Sequence, residues 1–385
     1  MTKIFVMGAV GKMCIEATRD LVETSDFDGF LLADIDEEKL RDLEKELNDD
    51  RVHILKIDAS DEERVAQAIK GYDVLMNGLP YEGAESTLRA CLKCKIPSID
   101  LGPEFRQKYI ESFEKAGVLY STGVGMTPGV TDIMTRHAVD RCDEVDEIYV
   151  YWASFRPIAI SPGLVLTTFW ELDPEEKMRA YYENGQYYPQ PALRESKTVE
   201  FEPPYGRLNV YYVPHSETFT LSKLVPGVKV VKTMGTWPPI EMEFLRQLVD
   251  YGIFQKKTID HKGQRYETLE LLGDMLSQLP RGTSTPLWGY ALRVEVMGER
   301  NRRAVQCVLT TTHPPSEKWG GARAYAKSVG IPLSIGTQLI ANGKTRVSIG
   351  YRSAYEVFDP VEFFKELKKR GIEVHERVYE YRKLD

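Results

Sequence analysis

Ile4-Phe5-Val6-Met7-Gly8-Ala9-Val10-Gly11-Lys12-Met13-Cys14 is the stretch on which the fold turns. A short apolar run ends in a glycine turn, and apolar residues at helical spacing follow over residues 15–22. Strand, glycine turn, helix is the context that a dinucleotide site requires. Gly8 permits the tight turn. Gly11 lets the backbone approach a pyrophosphate, whose charge then faces the amides at the start of the helix. Gly8, Val10, Gly11, Lys12 and Met13 are therefore the expected phosphate-side contacts. The spacing is G-x-x-G-x-x-C, with Cys14 standing where a third glycine often lets helix and strand approach.

The pattern repeats outward from this loop. Phe30-Leu31-Leu32-Ala33 reads as a second strand ending at Asp34, at about the 20-residue distance expected of the acid that holds the adenosine ribose. A carboxylate there accepts from both hydroxyls and repels a 2′-phosphate, which favours NAD while leaving NADP possible. The competing account is that Asp34 caps the helix read over residues 37–47. A third strand, 53–57, closes at Asp58. A fourth, 74–77, ends in Gly78-Leu79-Pro80-Tyr81, a fifth spans 98–101, and a sixth begins at 118, with helices between them. This alternation predicts an α/β domain with a parallel sheet wound on both faces. Ligands of such sheets sit at the carboxyl ends of the strands. Asp58, Gly78, Leu79, Pro80, Asp100 and Gly125 all fall there, and all but Asp100 are taken as cofactor contacts.

Bulk properties narrow the class. A chain of 385 residues exceeds one ordinary core, so two domains are expected. The net charge of −8, with no concentrated basic stripe, argues against nucleic acid or anionic membrane as partner. No apolar run approaches the roughly 20 residues of a membrane span, and the cytoplasm is the expected compartment. Five cysteines are too sparse and odd a set for a disulfide framework. Cys91 and Cys94 form a CxxC inside a helical stretch, read as two reduced thiols rather than a redox or metal motif. No metal site is expected, because the histidines show no constellation with acids or cysteines.

At Gly123-Val124-Gly125-Met126-Thr127-Pro128-Gly129-Val130-Thr131-Asp132 the sixth strand leaves the sheet through a Gly/Pro-rich turn and enters a helix. This resembles the saccharopine dehydrogenase family, including the saccharopine reductases and lysine 6-dehydrogenases. Leu32-Ala33-Asp34-Ile35-Asp36, Lys56-Ile57-Asp58-Ala59, the segment Tyr72 to Pro80, Ser98-Ile99-Asp100-Leu101-Gly102 and Lys368-Lys369-Arg370-Gly371-Ile372-Glu373-Val374 resemble the same family. The resemblance implies a split Rossmann domain, residues 1–126 and 321–385. An α+β substrate and dimerisation domain on a mostly antiparallel sheet, residues 127–320, is inserted in it. It also implies an NAD(P)-dependent dehydrogenase acting on the nitrogen-bearing carbon of an amino acid or opine-like adduct, as in lysine metabolism, and working as a homodimer.

In the middle region Pro174 to Asn184 reads as a helix, and after Gly321 a helix over Ala322 to Val329 is followed by a separate apolar segment, Leu333 to Ala341. Catalytic groups are sought at strand ends. Asp100, Tyr81, Glu82 and Glu104 qualify on the nucleotide side; Arg156, Arg207, His215 and Lys223 qualify in the middle region. Asp100, His215 and Arg156 are the expected catalytic set. His215 titrates near neutral pH and suits proton transfer, and Arg156 can fork onto a substrate carboxylate. Two other readings stay open. One is a polyamine dehydrogenase of the carboxynorspermidine type, which wants clustered acids rather than an arginine. The other is a dinucleotide-binding sensor without turnover.

Overall fold

The computed structural model describes residues 1–79, 81–102, 107–158, 162–255, 257–278 and 287–381. The expected contacts Pro80 and Glu104 lie outside the described residues. So do the side chains of Tyr81 and Glu82. The chain divides into two compact units, residues 1–137 with 326–373, and residues 138–325 with 374–385.

The first unit alternates β1 (Lys3–Met7), α1 (Cys14–Thr24), β2 (Gly29–Asp34), α2 (Glu37–Leu47), β3 (Val52–Lys56), α3 (Glu62–Ala68), β4 (Val74–Asn77), α4 (Tyr81–Cys94), β5 (Ser98–Asp100), α5 (Ile110–Ala116), β6 (Leu119–Thr122) and α6 (Val130–Val139). The strands pair in parallel in the order β3-β2-β1-β4-β5-β6, and Gly350–Ser353 extends the sheet beyond β6. Every residue of β4 and all of β1 after Lys3 is buried, as a sheet covered on both faces requires. The cap of α2 is Asp36, which accepts from the Lys39 amide at 3.1 Å, so Asp34 is not the capping residue. The turn carries the capping carboxylate two residues beyond the end of β2.

The family-implied return of the chain takes the form of one long helix, Ala324–Ala341, that continues through Pro332. The sequence reading broke it into two segments at the proline. Burial on nearly every side outweighs the lost backbone bond. Gly330 of this helix meets α1 so closely that a Cβ there would lie 2.7 Å from the Ala17 nitrogen and the Met13 oxygen. No helix among the described residues is long and apolar enough to cross a membrane.

The second unit is built on a mixed sheet. Its centre is β7 (Glu144–Phe155), parallel to Val230–Thr236 on one side and antiparallel to Gly289–Arg300 on the other. The path runs outward through Gly206–Tyr212 to Ser196–Phe201, and through Arg303–Thr312 to Glu373–Tyr381. Successive side chains of β7 serve opposite faces. Tyr151, Ala153 and Phe155 join a core with Tyr205, Tyr212 and Met234. Trp152 on the other face packs against Trp237 and Tyr290.

Three expectations are corrected here. The closing strand Glu373–Tyr381 belongs to the second unit's sheet and not to the Rossmann domain, because it finds its pairing edge beside Arg303–Thr312. The first crossing lies at residues 137–138 rather than 126–127, since α6 packs within the first unit. Residues 174–184, read as a helix, instead turn into a hairpin of Ala180–Glu183 with Gln186–Pro189. Asn184 and Gly185 supply the two positive φ angles, 46° and 90°, of a tight hairpin turn that the helical pattern concealed.

The departure at Cys14 is explained across the sheet. A Cβ on Gly78 would fall 2.3 Å from both Cβ and Sγ of Cys14, so the missing third glycine is compensated at the end of β4. Gly78→Ala should lower stability in urea by about 1–3 kcal/mol, the usual range for overpacking. The double variant Gly78→Ala/Cys14→Gly should recover much of that loss; no recovery would show that the two positions are not coupled.

Candidate functional site

In the first unit the ends of β1, β2 and β4 lie side by side, with Met7 opposite both Ala33 and Asn77. Gly8 takes φ +72° and donates to the Ala33 carbonyl at 2.8 Å. The Gly11 amide returns to the Gly8 oxygen at 3.0 Å, and the Ile15 amide to the Gly11 oxygen at 2.9 Å, which winds the loop directly into α1. Asp34 accepts from the Val10 amide at 3.4 Å and the Asp36 amide at 3.1 Å, tying the carboxylate to the glycine loop. Lys12 is exposed on this loop and Met13 is half-buried. The Leu79 amide donates to Asn77 Oδ1 at 3.2 Å, while the buried Asn77 Nδ2 has no hydrogen-bond partner among the described residues. This arrangement fits a dinucleotide: a positive-φ glycine, a helix start behind it, and a carboxylate held beside it.

Two expected contacts are already committed within the protein. Asp58 is exposed and accepts from the Ser60 amide at 2.9 Å, which holds its carboxyl below the usual range. Gly125 spends its amide on the Pro128 carbonyl at 3.0 Å, inside a closed turn where a Cβ on Gly129 would strike the Gly125 oxygen at 2.3 Å.

Asp100 is also committed. It is buried at the end of β5 and accepts from Tyr120 Oη at 2.7 Å, Thr122 Oγ1 at 2.8 Å, the Gly102 amide at 3.1 Å and the Gly123 amide at 3.3 Å. These four donors among the described residues tie its carboxylate to the β5 and β6 ends.

The second unit brings His215 and Arg156 into one buried neighbourhood. β7 supplies Trp152 and, just past its end, Arg156. Helix α7 (Pro162–Leu172) supplies Thr168 and Glu171, and the helix Glu217–Leu224 begins with Glu217. The Trp152 indole covers Gly235 on the neighbouring strand, where a Cβ would come within 2.0 Å of the ring. His215 lies 5.3 Å from Trp152, centroid to centroid. Its Nδ1 is 3.3 Å from Glu217 Oε2 and its Nε2 is 3.7 Å from Glu171 Oε1. Glu217 is wholly buried and sits in the first turn of its helix, where the dipole favours an anion. Burial opposes a charge on His215, but the two carboxylates outweigh it and push its pKa up to about 10. The ring is therefore an imidazolium at neutral pH.

Arg156 is only 3% exposed. Its guanidinium donates to the Pro157 and Ile158 carbonyls at 3.1 and 3.3 Å and to Thr168 Oγ1 at 3.3 Å, and it lies 5.3 Å from the Tyr325 ring centroid. It forms no ion pair among the described residues, and its buried Nε has no partner. Tyr325 stacks on Tyr290 with centroids 5.6 Å apart. Burial pushes the Tyr290 hydroxyl well up, with Tyr325, Glu171 and Glu217 adding to it and Arg156 opposing. Arg207 and Lys223 are exposed and stand apart from this group. Glu171, Glu217, Trp152, Tyr290 and Tyr325 were missed in the sequence. The spacing of His215 and Glu217 in one turn was the available signal; nothing local marked the others.

Comparisons with known proteins identify the family. Residues 4–120 match the saccharopine dehydrogenase NADP binding domain, and residues 125–372 match the saccharopine dehydrogenase C-terminal domain. Carboxyaminopropylagmatine dehydrogenase from Synechocystis sp. is 24% identical over 401 residues, covering 98% of this chain and 98% of that one. The solved apo saccharopine dehydrogenase (L-Glu forming) from Saccharomyces cerevisiae has a TM-score of 0.73 at 15% identity, over 98% of this chain and 100% of the other. Homospermidine synthase from Legionella pneumophila, solved with NAD, has a TM-score of 0.62 at 12% identity, over 99% and 91%. At such identities the structural likeness speaks for the fold.

The His215 charge has a measurable signature. Its folded pKa is raised, so its contribution to stability is complete below the ordinary value near 6.5 and is lost as pH rises through about 10. The melting temperature should fall across that window in the native protein, and His215→Gln should flatten the fall. An unchanged slope in the variant would rule out a protonated His215.

Proposed function

This chain belongs to the saccharopine dehydrogenase family, and from that premise we propose that its substrate is an adduct joining a carboxylate-bearing half to a cationic amine or guanidine half. The protein is an NAD(P)-dependent oxidoreductase acting on CH–NH groups. A bound nicotinamide supplies or accepts the hydride at the nitrogen-bearing carbon. What remains is for the protein to bind, orient and handle protons.

One observation carries the substrate assignment: among the described residues buried Arg156 has no acidic partner, in the same neighbourhood where buried Glu171 and Glu217 surround His215. An amino-acid site needs a cation and a polyamine site needs acids; this site has both. In our reading Arg156 receives the substrate carboxylate, with Tyr325 and Thr168 fixing the plane of the guanidinium. Glu171 and Glu217 receive the cationic end, with the Trp152 face beside them. An arriving cation competes with the imidazolium for the two carboxylates, which lowers the His215 pKa and frees a proton. His215 is thereby the proton-handling group of the site. Synechocystis carboxyaminopropylagmatine dehydrogenase is named for a compound of this composite kind.

In the first unit we assign Gly8, Val10, Gly11, Lys12 and Met13 to the pyrophosphate side, Asp34 to the adenosine ribose, and Gly78 with Leu79 to the β4 edge of the cofactor. Asp58 and Gly125 frame this region through the contacts described above. The first unit is the nucleotide domain and the second the substrate domain.

The test is nicotinamide oxidation or reduction by the purified protein, with NAD and NADP in parallel. Saccharopine, carboxyaminopropyl-agmatine, lysine and simple polyamines would be the substrates. Composite adducts should turn over at least about 100-fold more efficiently than compounds lacking either the carboxylate or the distal cation, each charged contact being worth about 2–4 kcal/mol. Equal efficiency with a plain polyamine would overturn the assignment of Arg156. Arg156→Met should raise KM for the adduct by about 30-fold or more and leave cofactor affinity intact. Asp34→Ala should weaken NAD binding more than NADP binding; equal loss of both would remove Asp34 from the ribose.

A further inference from the structure

The two acids beside His215 come from different elements, so the scaffold has to set how far apart they stand. Glu171 lies in the last turn of α7, where the final carbonyls of a helix find no partner within it. Arg179 supplies one. It is only 1% exposed, and its guanidinium donates from Nη1 to the Glu171 carbonyl at 2.8 Å and from Nη2 to the Asp173 carbonyl at 2.9 Å. Its Nε donates to the Gln190 carbonyl at 2.8 Å, and the Gln190 amide returns to the Arg179 carbonyl at 2.7 Å. A cation is favoured at a helix C-terminus, and the planar fork holds its acceptors in fixed directions.

Arg179 and Gln190 stand at the open end of the hairpin of Ala180–Glu183 with Gln186–Pro189. The same hairpin carries the helix of the other acid. Tyr187 stacks on Phe219 with centroids 4.7 Å apart, and its hydroxyl is 2.8 Å from Ser222 Oγ, both in the helix Glu217–Leu224. Thr218 of that helix donates to Thr233 Oγ1 at 3.1 Å, on the strand Val230–Thr236 with which the hairpin also pairs. One hairpin thus holds the end of α7 through Arg179 and the Glu217 helix through Tyr187.

We propose that Arg179 is a positioning residue of the substrate site, fixing Glu171 against the hairpin that also carries Glu217 and so setting the gap in which His215 stands. The charged groups on His215 are Glu217 from the helix it leads into, at 3.3 Å, and Glu171 from α7, at 3.7 Å; β7 presents the Trp152 ring. Gly289–Arg300 contributes the Tyr290 hydroxyl, which burial pushes well up and so keeps neutral, and Arg156 past the end of β7 is the cation of the same neighbourhood. Arg179 bonds to the backbone of Glu171, so its effect on His215 runs through the place of one carboxylate. Without the fork the last turn of α7 is released, Glu171 draws away, and the imidazolium holds its proton less tightly. The kinetic consequence rests on the proposed reading of Glu171 and Glu217 as receivers of a substrate cation; the effect on the imidazolium does not.

Arg179→Lys keeps a cation at the end of α7 and loses the fork. In the full-length protein the fall of melting temperature with rising pH, which runs up to about 10 in the native chain, should end at least about one pH unit lower in Arg179→Lys. Arg179→Met should move it as far or further. Val199→Ala, in the core on the opposite face of the sheet from Trp152, should lose stability and leave the window in place. In turnover, the advantage of adducts with a distal cation over those without one should shrink about 10-fold in Arg179→Lys. The pH measurement needs no substrate, so it decides the role of Arg179 even where a native chain indifferent to the distal cation defeats the substrate reading. A window unmoved in Arg179→Lys, an equal shift in Val199→Ala, or failure of both Arg179 variants to fold would each overturn the proposal.

Discussion

A charge removed from water has to be met by another charge, and the second unit is arranged around that demand. Glu217 is wholly buried and Glu171 nearly so, and neither is tolerable without a cation. His215 supplies it, by keeping its proton far above the pH at which a free imidazole loses it. The same demand is left open at Arg156, where carbonyl oxygens, Thr168 and the Tyr325 ring substitute for a carboxylate. A buried cation held by dipoles and an aromatic face is poised for an anion, and a pair of acids held by a titratable base is poised for a competing cation. The function proposed for the site follows from this one imbalance.

In the first unit the proposed pyrophosphate contacts require the backbone of the glycine loop to be open to a ligand. The loop from Gly8 to Met13 is wound against β4, and the crowding is relieved at Gly78 because Cys14 occupies the usual glycine position. The carboxylate of Asp100 gathers four donors from β6 and the turns beside it, which keeps the neighbouring strand ends in register. Its place at a strand end is legible in the sequence, whereas the donors on it come from β6 and the turns that the fold brings alongside.

Much of this was legible in the chain. The strands of the first unit, the glycine loop and Asp34 follow from periodicity and spacing over a few tens of residues. His215 and Arg156 were singled out by residue type and by their places after strands. Their partners were not, because Glu171 and Tyr290 come from distant elements whose faces are chosen by sheet register. The hairpin at Asn184-Gly185 was misread because tyrosine-rich segments satisfy a helical pattern as readily as an extended one until their pairing strand is known.

By itself, then, the sequence determined the alternating αβ order of the nucleotide domain, the phosphate loop and the family resemblance, since each rests on neighbours along the chain. Only the tertiary structure decided that Gly78 makes room for Cys14 and that Asp36 rather than Asp34 caps α2. It alone returned the last strand to the second sheet and enclosed His215 between two acids. The physical reason is that burial and pairing are properties of the folded packing. A residue's charge state and reactivity depend on what the distant chain places against it.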